Sequence, residues 1–212
     1  MQSIGIDDIL DMESRKRAAF INCLSGAKAA NLIGTQDKQG RTNLSIMSSA
    51  FHVGATPPLM GLIIRPDPVP RHTLHNILET GYYTLNHVNQ DILSAAHQTS
   101  ARYDKGESEF SATGLTSQFV ANIPAPFVAE SAIKLGLKLV HHQELAVNKT
   151  HLVIGEIQTV LLPEDAVADD GHLAITEHGS VAVTGLDTYH ELQPIARFKY
   201  AKVGQPVELV GE

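Results

Sequence analysis

One cysteine and no tryptophan occur in 212 residues, and aromatics make up only 5%. The lone Cys23 excludes an internal disulfide and any zinc site built from several cysteines. No apolar run approaches the roughly 20 residues a membrane-spanning helix needs. The most apolar stretch, residues 59–64, has the length of a strand. Acids stand near the start of the sequence, where a secretory signal needs a basic region and then an apolar one. Asn148-Lys149-Thr150 fits a glycosylation sequon and, without a signal, reads as a surface turn. No Gly-x-Ser-x-Gly elbow supplies a hydrolase nucleophile. No Gly-x-Gly-x-x-Gly marks a dinucleotide fold. Basic residues are scarce as well: 16 Lys+Arg face 23 Asp+Glu, a formal charge of -7. That argues against broad nucleic-acid binding but leaves room for a local phosphate site. The expectation is a soluble, cytoplasmic protein with neither a membrane nor a nucleic acid as partner.

Hydrophobic residues make up 43%, enough for a sizeable core in one domain with extensions. Residues 7–25 carry apolar side chains at helical spacing, with a break near Ser14 as N-cap and a stop at Ser25-Gly26. Residues 31–36 and 42–49 flank Asp37-Lys38-Gln39-Gly40 and read as a hairpin. A strand over 59–65 is apolar throughout, as if covered on both faces. Pro66, Pro68 and Pro70 then enforce an extended loop. A short helix over 71–80 puts Leu74, Ile77 and Leu78 on one face and ends at Gly81. A strand follows over 82–86, then a helix over 89–97 with Asn89 as N-cap. Residues 98–128 read as irregular, with a turn at Tyr103-Asp104-Lys105-Gly106 and Pro124 and Pro126 as breakers. Strands are expected at 133–139, 151–162, 172–176 and 195–200. No βαβ rhythm repeats, so the fold class is mainly β: an antiparallel barrel with inserted helices.

The 11 histidines invite a metal reading. His72 and His75 are one helical turn apart, but His141 and His142 point to opposite faces of a strand. No third ligand stands in a recognised pattern, so no metal is expected. A phosphorylated aromatic ligand suits residues 43–87 better. Ser48 and Ser49 end one strand and Arg65 ends the next. Arg71-His72-Thr73 opens a helix, where free N–H groups, a hydroxyl and a guanidinium can converge on a phosphate. Formal charges there are Arg65 and Arg71 against Asp67 and Glu79, 2 - 2 = 0, so the whole acidic excess lies elsewhere.

Four runs in order carry a resemblance: residues 43–51 (Asn-Leu-Ser-Ile-Met-Ser-Ser-Ala-Phe), 57–65 (Pro-Pro, then an apolar strand ending in Arg), 71–77 (Arg-His-Thr-Leu-His-Asn-Ile) and 81–86 (Gly-Tyr-Tyr-Thr-Leu-Asn). The set resembles the flavin reductase-like, FMN-binding split-barrel family, including its flavoredoxin-like members, over most of residues 14–200. The resemblance implies an FMN-binding split β-barrel at 28–205, a helical segment at 1–27 packed on it, and a tail at 206–212. It implies a homodimer with flavin near the subunit interface. It implies that Ser48, Ser49 and Phe51 meet the isoalloxazine or ribityl chain, and that Arg65, Arg71, His72 and Thr73 lie near the phosphate. Asn43 is expected at the pocket or organising its strand, and Asn76 and Asn86 as structural ties. His151 matches the nicotinamide-side position, although Lys149-Thr150 precede it in place of Gly-Asp. Tyr189 and His190, in a tail similar to a closer subfamily, border the flavin or pack. The implied activity is an FMN-dependent oxidoreductase taking electrons from NADH or NADPH. The alternative is a flavoredoxin-like carrier served by a redox partner protein.

Overall fold

The computed structural model describes residues 1–66, 71–104 and 106–211. Pro68 and Pro70 of the expected extended loop, and Lys105 of the expected turn, lie outside them. In chain order the elements are α1 (Ile6–Asp11), α2 (Ser14–Leu24), β1 (Lys28–Ala29), β2 (Asn31–Gln36), β3 (Thr42–Met47), β4 (Phe51–Ala55), β5 (Pro58–Ile64), α3 (His72–Thr80), β6 (Tyr82–His87), α4 (Leu93–Gln98), α5 (Glu109–Thr113), β7 (Ser117–Val120), β8 (Ile123–Val128), β9 (Lys134–Glu144), β10 (His151–Leu161), β11 (Val181–Thr184) and β12 (Thr188–Glu191).

Seven strands form one antiparallel sheet in the order β3-β2-β6-β9-β10-β5-β4. It does not close, which makes the barrel a split one. One core joins this sheet to α3: Ile33, Leu62, Ile64, Leu74, Ile77, Tyr83, Leu85, Leu137 and Val153. Tyr83 reaches Gly155 on β10, where its hydroxyl lies in the space a side chain would take. A second core, with Leu32, Leu44, Val88, Phe110, Val128 and Val183, joins the sheet to α4, α5 and the small sheet β1-β11-β12.

The expected break in the first helix is real. The capping residue is Glu13, however, whose carboxylate accepts from the Arg15 and Lys16 N–H groups at 2.9 and 3.0 Å. The hairpin of β2 and β3 is closed by Asp37, which accepts from Gln39 N and Arg41 N, both at 3.0 Å. Asn86 donates to Leu32 O at 3.0 Å and accepts from Val128 N at 3.0 Å, tying β6 to β2 and β8. Asn76 donates to Thr35 Oγ1 at 3.1 Å.

Several sequence expectations need correction. Leu78 is exposed, because only Leu74 and Ile77 face the sheet. β5 is only partly covered, with Pro58 exposed and Leu59 and Met60 half-buried. α4 starts at Leu93, since Asn89 spends its carbonyl on Ile92 N at 3.2 Å in a turn before it. Residues 98–128 hold a helix and a hairpin, and Pro124 and Pro126 sit inside β8. They fit because β8 pairs with β7 alone, leaving one edge without a ladder to interrupt. Residues 172–176 make only an isolated bridge at Leu173, and residues 195–200 only one at Phe198. Neither segment has a sheet neighbour to extend it.

Candidate functional site

β3 is an edge strand of the large sheet, so alternate N–H groups face outward without a strand partner. Side chains of the 93–113 segment satisfy them. Leu44 N donates to Glu109 Oε2 at 2.8 Å, and Ile46 N donates to Thr99 Oγ1 at 2.9 Å. Thr42 and Ser108 share a hydroxyl contact of 2.7 Å. This clasp holds α4 and α5 beside β3. Glu109 is 5% exposed, and burial raises its carboxyl pKa against the pull of the Leu44 N–H.

From the other side, α3 is pinned to the hairpin. Asn43 donates to Thr73 Oγ1 at 2.9 Å, and both side chains are buried. That fixes the first turn of α3 against β3. Arg71 stands at the N-cap position and its Nε donates to Pro66 O at 3.2 Å. Ser49 follows β3 and donates to Ile63 O on β5 at 2.6 Å, holding the end of β3 against β5.

Between these fixed edges lies a cleft of about 970 Å³, at the upper end of the ~300–1,000 Å³ usual for cofactor and small-molecule sites. Its floor is Ser45, Ile46, Met47, Ile63 and Ile64. Asn43, Ser48, Ser49, Arg65, Arg71, His72 and Thr73 line it as well. Seven of the eight cofactor residues expected from sequence therefore meet in one place. The exception is Phe51. It begins the outer strand β4, is 41% exposed, and lies over Gly61 so closely that no side chain would fit there. It does not line the cleft.

Of the opposite wall, sequence reasoning reached only Tyr189. The segment 97–104 brings His97, Arg102, Tyr103 and Asp104 to the cleft, and the β11–β12 hairpin brings Leu186, Asp187 and Tyr189. His97 Nδ1 and Tyr189 OH are 2.9 Å apart with their rings edge to face, closing one end. Burial, then Asp187, raises the Tyr189 pKa. His190 turns away and meets Thr184 Oγ1 at 2.8 Å. Two distant parts of the chain build this wall, and no local pattern announces the 97–104 side.

His151 is not in the cleft. It sits opposite cleft-lining Ile64 across β10 and β5, is 8% exposed, and its Nδ1 lies 3.1 Å from His142 Nε2 on β9. The two rings stack at 5.3 Å. Burial, then the neighbouring His151, lowers the His142 pKa. Among the described residues no group of three or more His, Cys, Asp or Glu is arranged for a metal ion. No described helix is long and apolar enough to cross a membrane.

The donor set fits a phosphorylated flavin. Two guanidiniums, a hydroxyl and a helix start suit a phosphate dianion. The apolar floor suits a flat ring system, and Ser48 suits its polar chain. Residues 26–179 match the flavin reductase like domain, and the chain belongs to that family. A split-barrel protein of Shewanella frigidimarina, named provisionally as a flavin reductase, is 56% identical and superimposes with a TM-score of 0.92 over 95% of this chain and 100% of its own. Flavoredoxin of Desulfovibrio vulgaris is 25% identical, with a TM-score of 0.70 over 84% of this chain and 92% of its own. Nitrilotriacetate monooxygenase component B of Bacillus cereus shares the fold at 19% identity, with a TM-score of 0.81 over 92% and 96%.

Proposed function

We propose that this protein is an FMN-dependent oxidoreductase that passes reducing equivalents from NADH or NADPH through flavin to an acceptor, working as a cytoplasmic homodimer. The observation that supports it most is the convergence of Ser48, Arg65, Arg71, His72 and Thr73 on one cleft with an apolar floor. In this reading Arg65, Arg71 and the start of α3 hold the phosphate. Thr73, fixed by Asn43, keeps that turn in place, and Ser48 and Ser49 face the ribityl chain. Ile46, Met47 and Ile63 cover the ring and exclude water. A bound flavin would supply the redox chemistry. The protein supplies orientation and a dry surface, and no side chain acts as nucleophile.

The second reading is a flavoredoxin-like carrier that takes electrons from a redox partner protein. It is favoured by His151, which follows Lys149-Thr150 and is held by His142 away from the cleft. A steady-state assay of NADH and NADPH oxidation with added FMN separates the two. Turnover that falls at least tenfold in His151→Asn, with FMN affinity kept, supports the enzyme. Tight FMN with no oxidation of either nucleotide supports the carrier. Protein that fails to retain FMN at all contradicts both.

A further inference from the structure

The wall of the cleft that faces α3 carries a pair of side chains to which the flavin reading gives no task. His97 lies in the last turn of α4 and Tyr189 on β12, 92 residues apart, yet His97 Nδ1 and the phenol oxygen meet at 2.9 Å. The rings stand edge to face with centroids 5.7 Å apart, and both line the cleft. Tyr189 is half-buried, lies opposite Val183 on β11 and packs on the core below. The phenol is therefore fixed, while the imidazole is exposed to water. Among the other cleft hydroxyls, Ser49 and Thr99 donate to the carbonyls of Ile63 and Ala96. Tyr189 instead meets a group whose charge can change. Histidine is the side chain that ordinarily titrates between about pH 5 and 8.

The bond has one hydrogen between its two heavy atoms. Either the phenol donates to a bare Nδ1, or a protonated Nδ1 donates to the phenol oxygen and leaves the phenol hydrogen free to turn into the cleft. A neutral ring allows both arrangements, and an imidazolium allows only the second. We propose that this pair couples reduction of the bound ligand to the uptake of one proton. The inference rests on the flavin reading above and extends it to a proton. As two electrons enter the cleft and leave negative charge on the ligand, water supplies a proton to the His97 ring. Nδ1–H then donates to the phenol oxygen, and the Tyr189 O–H turns toward the new charge. On oxidation the same proton returns to water. Tyr189 stays a phenol throughout, in keeping with the burial, and then the Asp187 charge, that raise its pKa. The other titratable groups on this side of the cleft are Asp187 on the hairpin, Arg102, Tyr103 and Asp104 after α4, and Glu109 on α5. None of them hydrogen-bonds to His97 Nδ1 or to the Tyr189 hydroxyl. His97 acts through Tyr189 and is a positioning residue.

The test is a redox titration of the FMN-loaded full chain, of His97→Gln and of Tyr189→Phe between pH 6 and pH 8, after each has been titrated with FMN by fluorescence. Gln keeps a hydrogen-bonding side chain that cannot titrate, and Phe keeps the ring that packs on the core. The expected result is FMN binding by all three proteins, with a midpoint potential that falls more steeply with pH in the wild type. The excess is up to one proton per two electrons, about a tenfold change in the redox equilibrium per pH unit. Equal slopes in the three proteins overturn the coupling and leave the flavin reading intact. A wild-type slope in His97→Gln also overturns it, because the bond is then only structural. A wild-type chain that does not bind FMN overturns both.

Discussion

The Asn43 side-chain amide donates to the Thr73 hydroxyl at 2.9 Å, across 30 residues of sequence. The bond joins the hairpin strand β3 to the first turn of α3, and both groups are buried. Replacing Thr73 by Val strands the Asn43 donor, leaving only the longer contact to Thr35 Oγ1 at 3.5 Å. The expected loss is about 1–3 kcal/mol of unfolding free energy, read by urea denaturation. FMN affinity falls with it, and Thr73→Ser restores both. A stable Thr73→Val protein with unchanged affinity would show that the pin is dispensable.

Arg71 is expected to matter through charge and geometry together. Arg71→Ala should weaken FMN binding roughly 10–100-fold, the size of one or two lost hydrogen bonds to a charged group. Riboflavin, which lacks the phosphate, should bind the wild type and the variant alike. Equal losses for both ligands would place Arg71 elsewhere in the site.

His87 reports on acid stability. Burial pushes its pKa down to about 4 while its ring meets Ser180 Oγ at 2.8 Å. The unfolded chain therefore binds a proton from about pH 6.5 downward that the native protein refuses until about pH 4. Stability should fall through that window by on the order of 2–3 kcal/mol and level off below it. His87→Gln should flatten the profile of unfolding free energy against pH.

Glu109 acts with the opposite sign. Its pKa is raised in the fold, so the native state holds a proton that the unfolded state releases above about 4.5. Its contribution is greatest in acid and declines as pH rises through the folded pKa. Glu109→Gln keeps an acceptor for Leu44 N and removes the titration. The difference in stability between variant and wild type should therefore move in the variant's favour from pH 5 to pH 8. A difference that does not change with pH would mean that the carboxyl is solvated.

Gly155→Ala sets a new methyl against the Tyr83 ring, whose Cζ lies 2.8 Å from the added carbon. Tyr83 is fully buried in the barrel core. Overpacking of this kind costs about 1–3 kcal/mol, measurable as a lower urea midpoint with an unchanged slope.

Sequence made the hairpin, α3 and the Arg65–Arg71 side of the cleft legible, because each is local. Apolar spacing, a polar turn ending in Gly40 and a helix opening on Arg71 all act within a few residues. The strand β4 was hidden by Gly54 and the two prolines behind it, which look like loop. β8 was hidden because a proline inside a strand is tolerated only where one edge is unpaired, and pairing is not a local property. In the wall formed by His97, Tyr103 and Tyr189, only Tyr189 was reached from sequence; the other two were hidden for the same reason, since they meet it only once α4 and the β11–β12 hairpin have packed. His151, expected on the nicotinamide side, lies outside the cleft lining. Its partner in the fold is His142, nine residues earlier on the neighbouring strand.

The central claim is that the cleft between β3, α3 and the β11–β12 hairpin holds FMN. The direct measurement is titration of the purified protein with FMN, followed by flavin fluorescence, alongside Arg71→Ala. The account predicts saturable binding at one flavin per chain, weakened at least tenfold by the substitution. No saturable binding to the wild type, or equal binding by both proteins, would contradict it.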